Sequence, residues 1–132
     1  MVSALKSDEI FDLITKYLAT GEAAETVKKI SAVYQIDILQ KKGGKVVKSW
    51  SIDMKNDKGA CKEAKAESAD ATFTLTDDDF HALCNGKLNA QMAVVQGKMK
   101  IKGNMKKATA FTPDLFPKPT PENIQKYTKA KF

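Results

Sequence analysis

Apolar residues recur at helical spacing near the start of the chain. Ile10, Leu13, Ile14, Tyr17 and Leu18 fall on one side of a helix. Ser7 is placed to cap it, with Asp8 and Glu9 in the positive first turn, and Gly21 is placed to end it. A weaker helical stretch runs over Glu22 to Ile30, with Ala23, Val27 and Ile30 on one side. From Val33 the period changes to two. Tyr34, Ile36 and Ile38 alternate with Gln35 and Asp37. Lys41 to Gly44 form a turn, after which Val46, Trp50, Ile52 and Met54 share one face and Ser49, Ser51 and Asp53 the other, so a β-hairpin is expected. A short edge strand is expected within Lys58 to Ala64.

The second half repeats the same two periods. Ala71, Phe73 and Leu75 alternate with threonines and run straight into a helix. Thr76 and Asp79 have the spacing of a capping box; Phe80, Leu83 and Cys84 supply the apolar side, and Gly86 the stop. Asn89 can cap a short helix through Met92, Val94 and Val95, ended by Gly97. In the next strand Lys98, Lys100 and Lys102 point one way, Met99 and Ile101 the other. At least four strands therefore have one polar and one apolar side. Such a sheet is covered on one face only, and the helices before, between and after the strands must supply the cover. The fold class is α+β. Beyond Thr112 the prolines Pro113, Pro117, Pro119 and Pro121 interrupt regular structure, and Thr120 and Pro121 can start one more short helix through Ile124 and Tyr127.

A chain of 132 residues suits one domain. Two cysteines, Cys61 and Cys84, are too few for the disulfide framework of a small secreted domain, and reduced thiols are expected. Met1 to Ser7 carries no long apolar run, and no stretch approaches the roughly 18 apolar residues of a membrane span, so neither a secretory signal nor a span is expected. The net charge is +6, and all 22 basic residues are lysine. Arg is the preferred bidentate reader of guanine and phosphate, so specific nucleic-acid binding is not expected. Lysines still attract anionic membranes or anionic ligand head groups.

Candidate chemistry is sparse. His81 is the single histidine, and no second one completes a metal site. Cys84 lies near a helix C-terminus, which disfavours a thiolate. Asp77, Asp78 and Asp79 are explained by capping and the helix dipole. No phosphate loop, nucleophile elbow or dinucleotide fingerprint is present. No catalytic residue, metal or cofactor is expected. What remains is an apolar inventory rich in aromatic and methionine side chains, consistent with an ordinary core or with adaptable walls around a gap.

Several runs, in order and spacing, resemble the sterol carrier protein 2 family. They are Lys28-Lys29-Ile30; Gly43-Gly44-Lys45 leading to Trp50; Ile52 to Asn56 with Lys58-Gly59; Asp70-Ala71-Thr72 with Asp77 to Phe80; and above all Gly86-Lys87-Leu88-Asn89 through Gln96 to Met105. The resemblance covers roughly Asp8 to Phe111. It implies a five-stranded sheet whose helices enclose a hydrophobic tunnel for fatty acids, fatty acyl-CoA esters or sterols. The residues it implies for that tunnel are Ile14 and Leu18 on the first helix, and Tyr34, Ile36, Trp50 and Ile52 on the hairpin. Phe73, Leu75, Phe80 and Leu83 follow in the next strand and helix. Met92, Val94, Val95, Gln96, Met99, Ile101, Met105 and Phe111 complete the set. Residues 1–111 would be the lipid-binding domain and 112–132 a proline-rich extension. A monomeric lipid carrier with transient contact to anionic membranes is expected. The alternatives are a small hydrolase or transferase acting on acyl esters and, more remotely, a lysine-rich nucleic-acid binder. The resemblance also implies a C-terminal peroxisomal import tripeptide read by an import receptor. Ala130, Lys131 and Phe132 match its small, basic, large apolar pattern, although Leu is the reference third residue. Peroxisomal residence follows, with the cytoplasm as the alternative.

Overall fold

The computed structural model describes residues 6–41, 43–56, 58–66, 68–111 and 120–129. The order is α1 (Lys6–Ala19), α2 (Ala24–Ile30), β1 (Ala32–Leu39), β2 (Val46–Met54), β3 (Ala60–Lys62), β4 (Ala71–Thr76), α3 (Asp77–Cys84), α4 (Ala90–Val95), β5 (Met99–Gly103), α5 (Met105–Ala110) and α6 (Pro121–Ile124), which continues as a π-helical turn, Gln125–Lys129. The proline-rich run 112–119 and the C-terminal tripeptide 130–132 lie outside the described residues.

The five strands form one sheet in the order β3-β2-β1-β4-β5. β1 and β4 are parallel, and every other pair is antiparallel. The alternation along β1 is strict: Ala32, Tyr34, Ile36 and Ile38 are buried and their neighbours half-buried. Phe73 and Leu75 of β4 and Met99 of β5 face the same way, whereas Lys98, Lys100 and Lys102 are exposed. The open face is polar and internally bonded. Gln35 Nε2 and Ser49 Oγ donate to Asp37 Oδ1 at 2.9 and 2.8 Å. The α+β reading and the one-sided sheet hold.

Local expectations fail at three places. Ser7 does not cap α1. It lies inside the helix, fully buried, and its backbone N–H donates to Asp77 Oδ1 at 2.7 Å. The acceptor for the first turn comes from the start of α3, 70 residues away, and couples the two helices. Val46 does not share the inner face of β2. The pairing register shifts between Ile38 and Leu39, so Val46 pairs with Leu39 and is exposed. Lys48, opposite buried Ile38, reaches Asp8 Oδ1 of α1 at 2.7 Å instead. The second helix starts at Ala24 rather than Glu22.

The remaining signals act as read. Thr76 Oγ1 accepts from the Asp79 N–H at 3.1 Å, and Asn89 Oδ1 from the Gln91 and Met92 N–H groups. Thr120 Oγ1 accepts from the Asn123 N–H at 3.2 Å to start α6. Gly103 ends β5 with φ at +102°, where a Cβ would meet the Asp70 carbonyl oxygen. No side chain but glycine's leaves room for that approach of β5 to β4.

Candidate functional site

The covered face of the sheet and the inner faces of the helices meet in an apolar interior built around two aromatic groups. α1 contributes Phe11, whose ring stacks between Trp50 of β2 and Phe80 of α3. The centroid distances are 4.5 and 4.7 Å, with the rings within 10° of parallel. The second group gathers Tyr34 of β1, Phe73 of β4 and Phe111 after α5. Phe111 lies 4.4 Å from Tyr34 and 5.3 Å from Phe73. The Tyr34 hydroxyl donates to the Lys107 carbonyl at 2.6 Å, and burial, aided by the Asp70 carboxylate, pushes its pKa up to about 12. That tyrosine is pinned as a neutral donor. Lys107 in turn holds α5 against the end of α2, its ammonium donating to the carbonyls of Ile30 and Ser31. Among the described residues, two buried polar side-chain atoms have no hydrogen-bond partner, Trp50 Nε1 and Ser7 Oγ.

The residues expected around a tunnel divide into two sets. Ile14, Leu18, Tyr34, Ile36, Ile52, Phe73, Leu75, Phe80 and Met99 are buried, and Trp50, Leu83, Ile101 and Phe111 are half-buried against them. Met92, Val94, Val95 and Met105 are exposed, at 48%, 41%, 79% and 54%, and Gln96 is exposed beside them. α4 is held by its small residue, Ala93, which is fully buried, and α5 likewise by Ala108. The described residues therefore bring the first set together and leave the second at the sheet edge carried by β5. Two surface cavities of about 350 and 360 Å³ lie elsewhere. One sits at the end of the open face beside Leu39, Thr74, Thr76 and Lys100, the other against Val47, Ser49 and Lys65.

Phe11 is the residue that pattern reading missed. Its spacing to Ile14 and Leu18, three and seven residues on, places it on the same helix face and was the available signal. The Asp77 contact to Ser7 had no local signal.

The groups that could react are occupied or suppressed. Burial pushes the Cys61 thiol up to about 11 and the Cys84 thiol up to about 12, and both cysteines are free. Neither supplies a thiolate at neutral pH. His81 is half-buried on α3, where the Asn85 side chain donates to its carbonyl at 2.8 Å and lies 3.3 Å from the ring nitrogens. Among the described residues no three His, Cys, Asp or Glu side chains are grouped to hold a metal ion, and no helix is long and apolar enough to cross a membrane.

Comparison with known proteins agrees with this arrangement. The sequence model of the SCP-2 sterol transfer family matches residues 12–115. Sterol carrier protein 2 of Arabidopsis thaliana is 46% identical over 118 residues, which are 88% of this chain and 94% of that protein. The apo structure of sterol carrier protein 2 from Yarrowia lipolytica superposes with a TM-score of 0.72 at 34% identity, covering 96% of this chain and 95% of that one. The Aedes aegypti protein, solved in complex with the fatty acid palmitate, superposes with a TM-score of 0.67 at 35% identity, covering 86% and 96%. In sequence and in overall superposition alike, this chain belongs to the SCP-2 sterol transfer family.

Proposed function

We propose that this protein is a lipid carrier that takes fatty acids, fatty acyl-CoA esters or sterols into the interior between helices and sheet, without catalysing a reaction on them. The observation that carries the reading is the make-up of that interior. It is aromatic and aliphatic on helices and strands alike, and its cysteines are held as neutral thiols by burial. An apolar chain of about 16 carbons, fully buried, gains on the order of 10 kcal/mol before association and ordering costs, enough for useful affinity with weak discrimination between chain lengths.

The buried set from Ile14 to Met99 forms the wall in this reading. Trp50, Phe111 and Leu83 flank it, and Met92, Val94, Val95, Gln96 and Met105 form the rim where a chain enters. Trp50 Nε1 and Ser7 Oγ are donors available to a polar head group. Entry of a ligand requires the two aromatic groups to part. Residues 1–111 are the binding unit. The finer assignment of residence follows from Ala130, Lys131 and Phe132, which we read as an import tripeptide.

Two experiments test these points. Mass spectrometry of organic extracts from the purified protein is expected to find co-purifying fatty acids or sterols. Protein that carries none, and acquires none after incubation with fatty acid, would refute the carrier reading. A fluorescent reporter ending in residues Pro121 to Phe132 is expected to collect in peroxisomes, and a diffuse signal unchanged by deleting Phe132 would remove the targeting assignment alone.

A further inference from the structure

We propose that the open face of the sheet carries a second binding site, for a small organic anion: an apolar body bearing a phosphate or carboxylate group. The site is the cavity of about 350 Å³ where β1 and β4 end. It does not depend on the carrier reading. Its strand residues Leu39, Thr74 and Lys100 are out of phase with the buried Ile38, Phe73, Leu75 and Met99, so the sheet itself divides this cavity from the lipid interior.

The first observation is shape. The volume lies within the range of small-molecule sites, about 300–1,000 Å³. The walls come from the end of β1, the turn into β2, the second half of β4 and the turn from α4 into β5. The register shift between Ile38 and Leu39 creates the apolar part. It pairs Val46 with Leu39, and both line the cavity. Val46 is 45% exposed there and Leu39 half-buried. Re-aiming a side chain beside a site is a common use of such a bulge. At Gly43 and Gly97 an added Cβ would meet nothing within 4 Å, so these two walls leave the opening clear.

The second observation is polarity. Lys98 and Lys100 line the cavity and no carboxylate does. Both are exposed, and among the described residues neither ammonium has an ion-pair or hydrogen-bond partner. Two residues apart on one face, they are separated by about 7 Å at strand rise, close enough to meet one anionic head together. Thr74 pairs with Lys100 across the ladder, and its hydroxyl is likewise unbonded among the described residues. Asp37, beside Thr74 in the same row, already accepts from Gln35 and Ser49. Asp77 to Asp79 follow Thr76 into α3 and do not line the cavity. Lysines on an edge strand also discourage pairing between copies, but that role asks for neither a cavity nor an apolar wall.

The test is titration of the full chain with phenyl phosphate, benzoate and neutral benzyl alcohol, followed by backbone amide shifts in NMR. Saturable shifts at Thr74, Gly97 and Lys100 are expected with the two anions and not with the alcohol, and the tighter anion identifies the head group. Lys98→Gln with Lys100→Gln is expected to weaken binding at least about tenfold. Val46→Asp, which places a carboxylate at an exposed position of the wall, is expected to do the same. The control Lys28→Gln with Lys29→Gln makes the same change in net charge on exposed residues of α2 and is expected to stay within about threefold. Saturation with palmitate is expected to leave the anion shifts unchanged. No saturable shift with either anion, equal losses in the two double-lysine variants, or displacement of the anion by palmitate would each overturn the proposal. Palmitate binding is read separately at the Trp50 indole N–H. Its absence would strike the carrier reading and leave this site standing.

Discussion

The interior layer and the β5 edge are both apolar, and they use that character in opposite ways. In the interior, Phe11 is fully buried, with a ring stacked on each face. At the edge, Val95 is 79% exposed on a helix held by an alanine. Burial makes Phe11 a stabilising residue, whereas Val95 removes almost no surface from water in this fold. Aromatic bulk therefore maintains the structure, and the aliphatic and methionine side chains at the edge remain available to something outside it. The lysines sort the same way: Lys48 and Lys107 tie elements together through hydrogen bonds, while those on β5 face solvent.

The largest effect should come from testing that division directly. Phe11→Ala is expected to cost about 3–5 kcal/mol of stability, because it opens a cavity between Trp50 and Phe80. Val95→Ala should stay within about 0.5 kcal/mol. Urea unfolding of both variants checks this, and comparable losses would erase the distinction between the regions. Next in size, Asp77→Ala leaves the buried Ser7 N–H without its acceptor and is expected to cost about 1–3 kcal/mol, seen as a lowered Tm.

Tyr34→Phe removes the bond to the Lys107 carbonyl and is expected to cost about 0.5–1.5 kcal/mol at neutral pH. Its pH dependence is distinctive. The folded-state pKa of Tyr34 is raised to about 12, above the ordinary value of 10.0, so burial of the neutral phenol contributes fully below pH 10. That contribution is lost as pH rises towards 12. Unfolding followed across this range should show a shallower alkaline decline in the variant, and parallel curves would contradict the assignment. The smallest effect concerns Cys61 and Cys84. With thiols raised to about 11 and about 12, both should react with iodoacetamide at pH 8 far more slowly in native than in unfolded protein, measured by mass shift. Rapid native labelling of either would reopen a nucleophilic role.

Features that depend on local period or capping were legible in the sequence. The alternation of Tyr34, Ile36 and Ile38 against Gln35 and Asp37, and the lysine register of β5, fix which face each strand buries. Together they imply a sheet covered on one side. Thr76, Asn89 and Thr120 announce helix starts that the structure contains. What escaped depends on distant partners. Ser7 looks like a cap because its neighbours are Asp8 and Glu9, yet its acceptor comes from Asp77. Val46 keeps the parity of Trp50 in sequence and loses it to the register shift at Leu39. α5 was not anticipated because Met105 to Ala110 contains one buried anchor, Ala108, too little for a period. Around the candidate site, the apolar positions on the strands were readable by alternation. The exposure of Met92, Val94 and Val95 was not, since helical spacing alone does not say which side an alanine-anchored helix turns inward.

The central claim is that a lipid enters the interior beside Trp50, the single tryptophan of the chain. Its indole lies half-buried against Phe11, with Nε1 unpartnered, so any chain that parts the aromatic groups must change its surroundings. The most direct measurement is energy transfer from Trp50 to a conjugated polyene fatty acid, titrated in vesicle-free solution. Saturable quenching of tryptophan emission at one fatty acid per chain, reversed by unlabelled fatty acid, is the expected result. Tryptophan emission that stays constant through the titration, with no sensitised emission from the polyene, would contradict it.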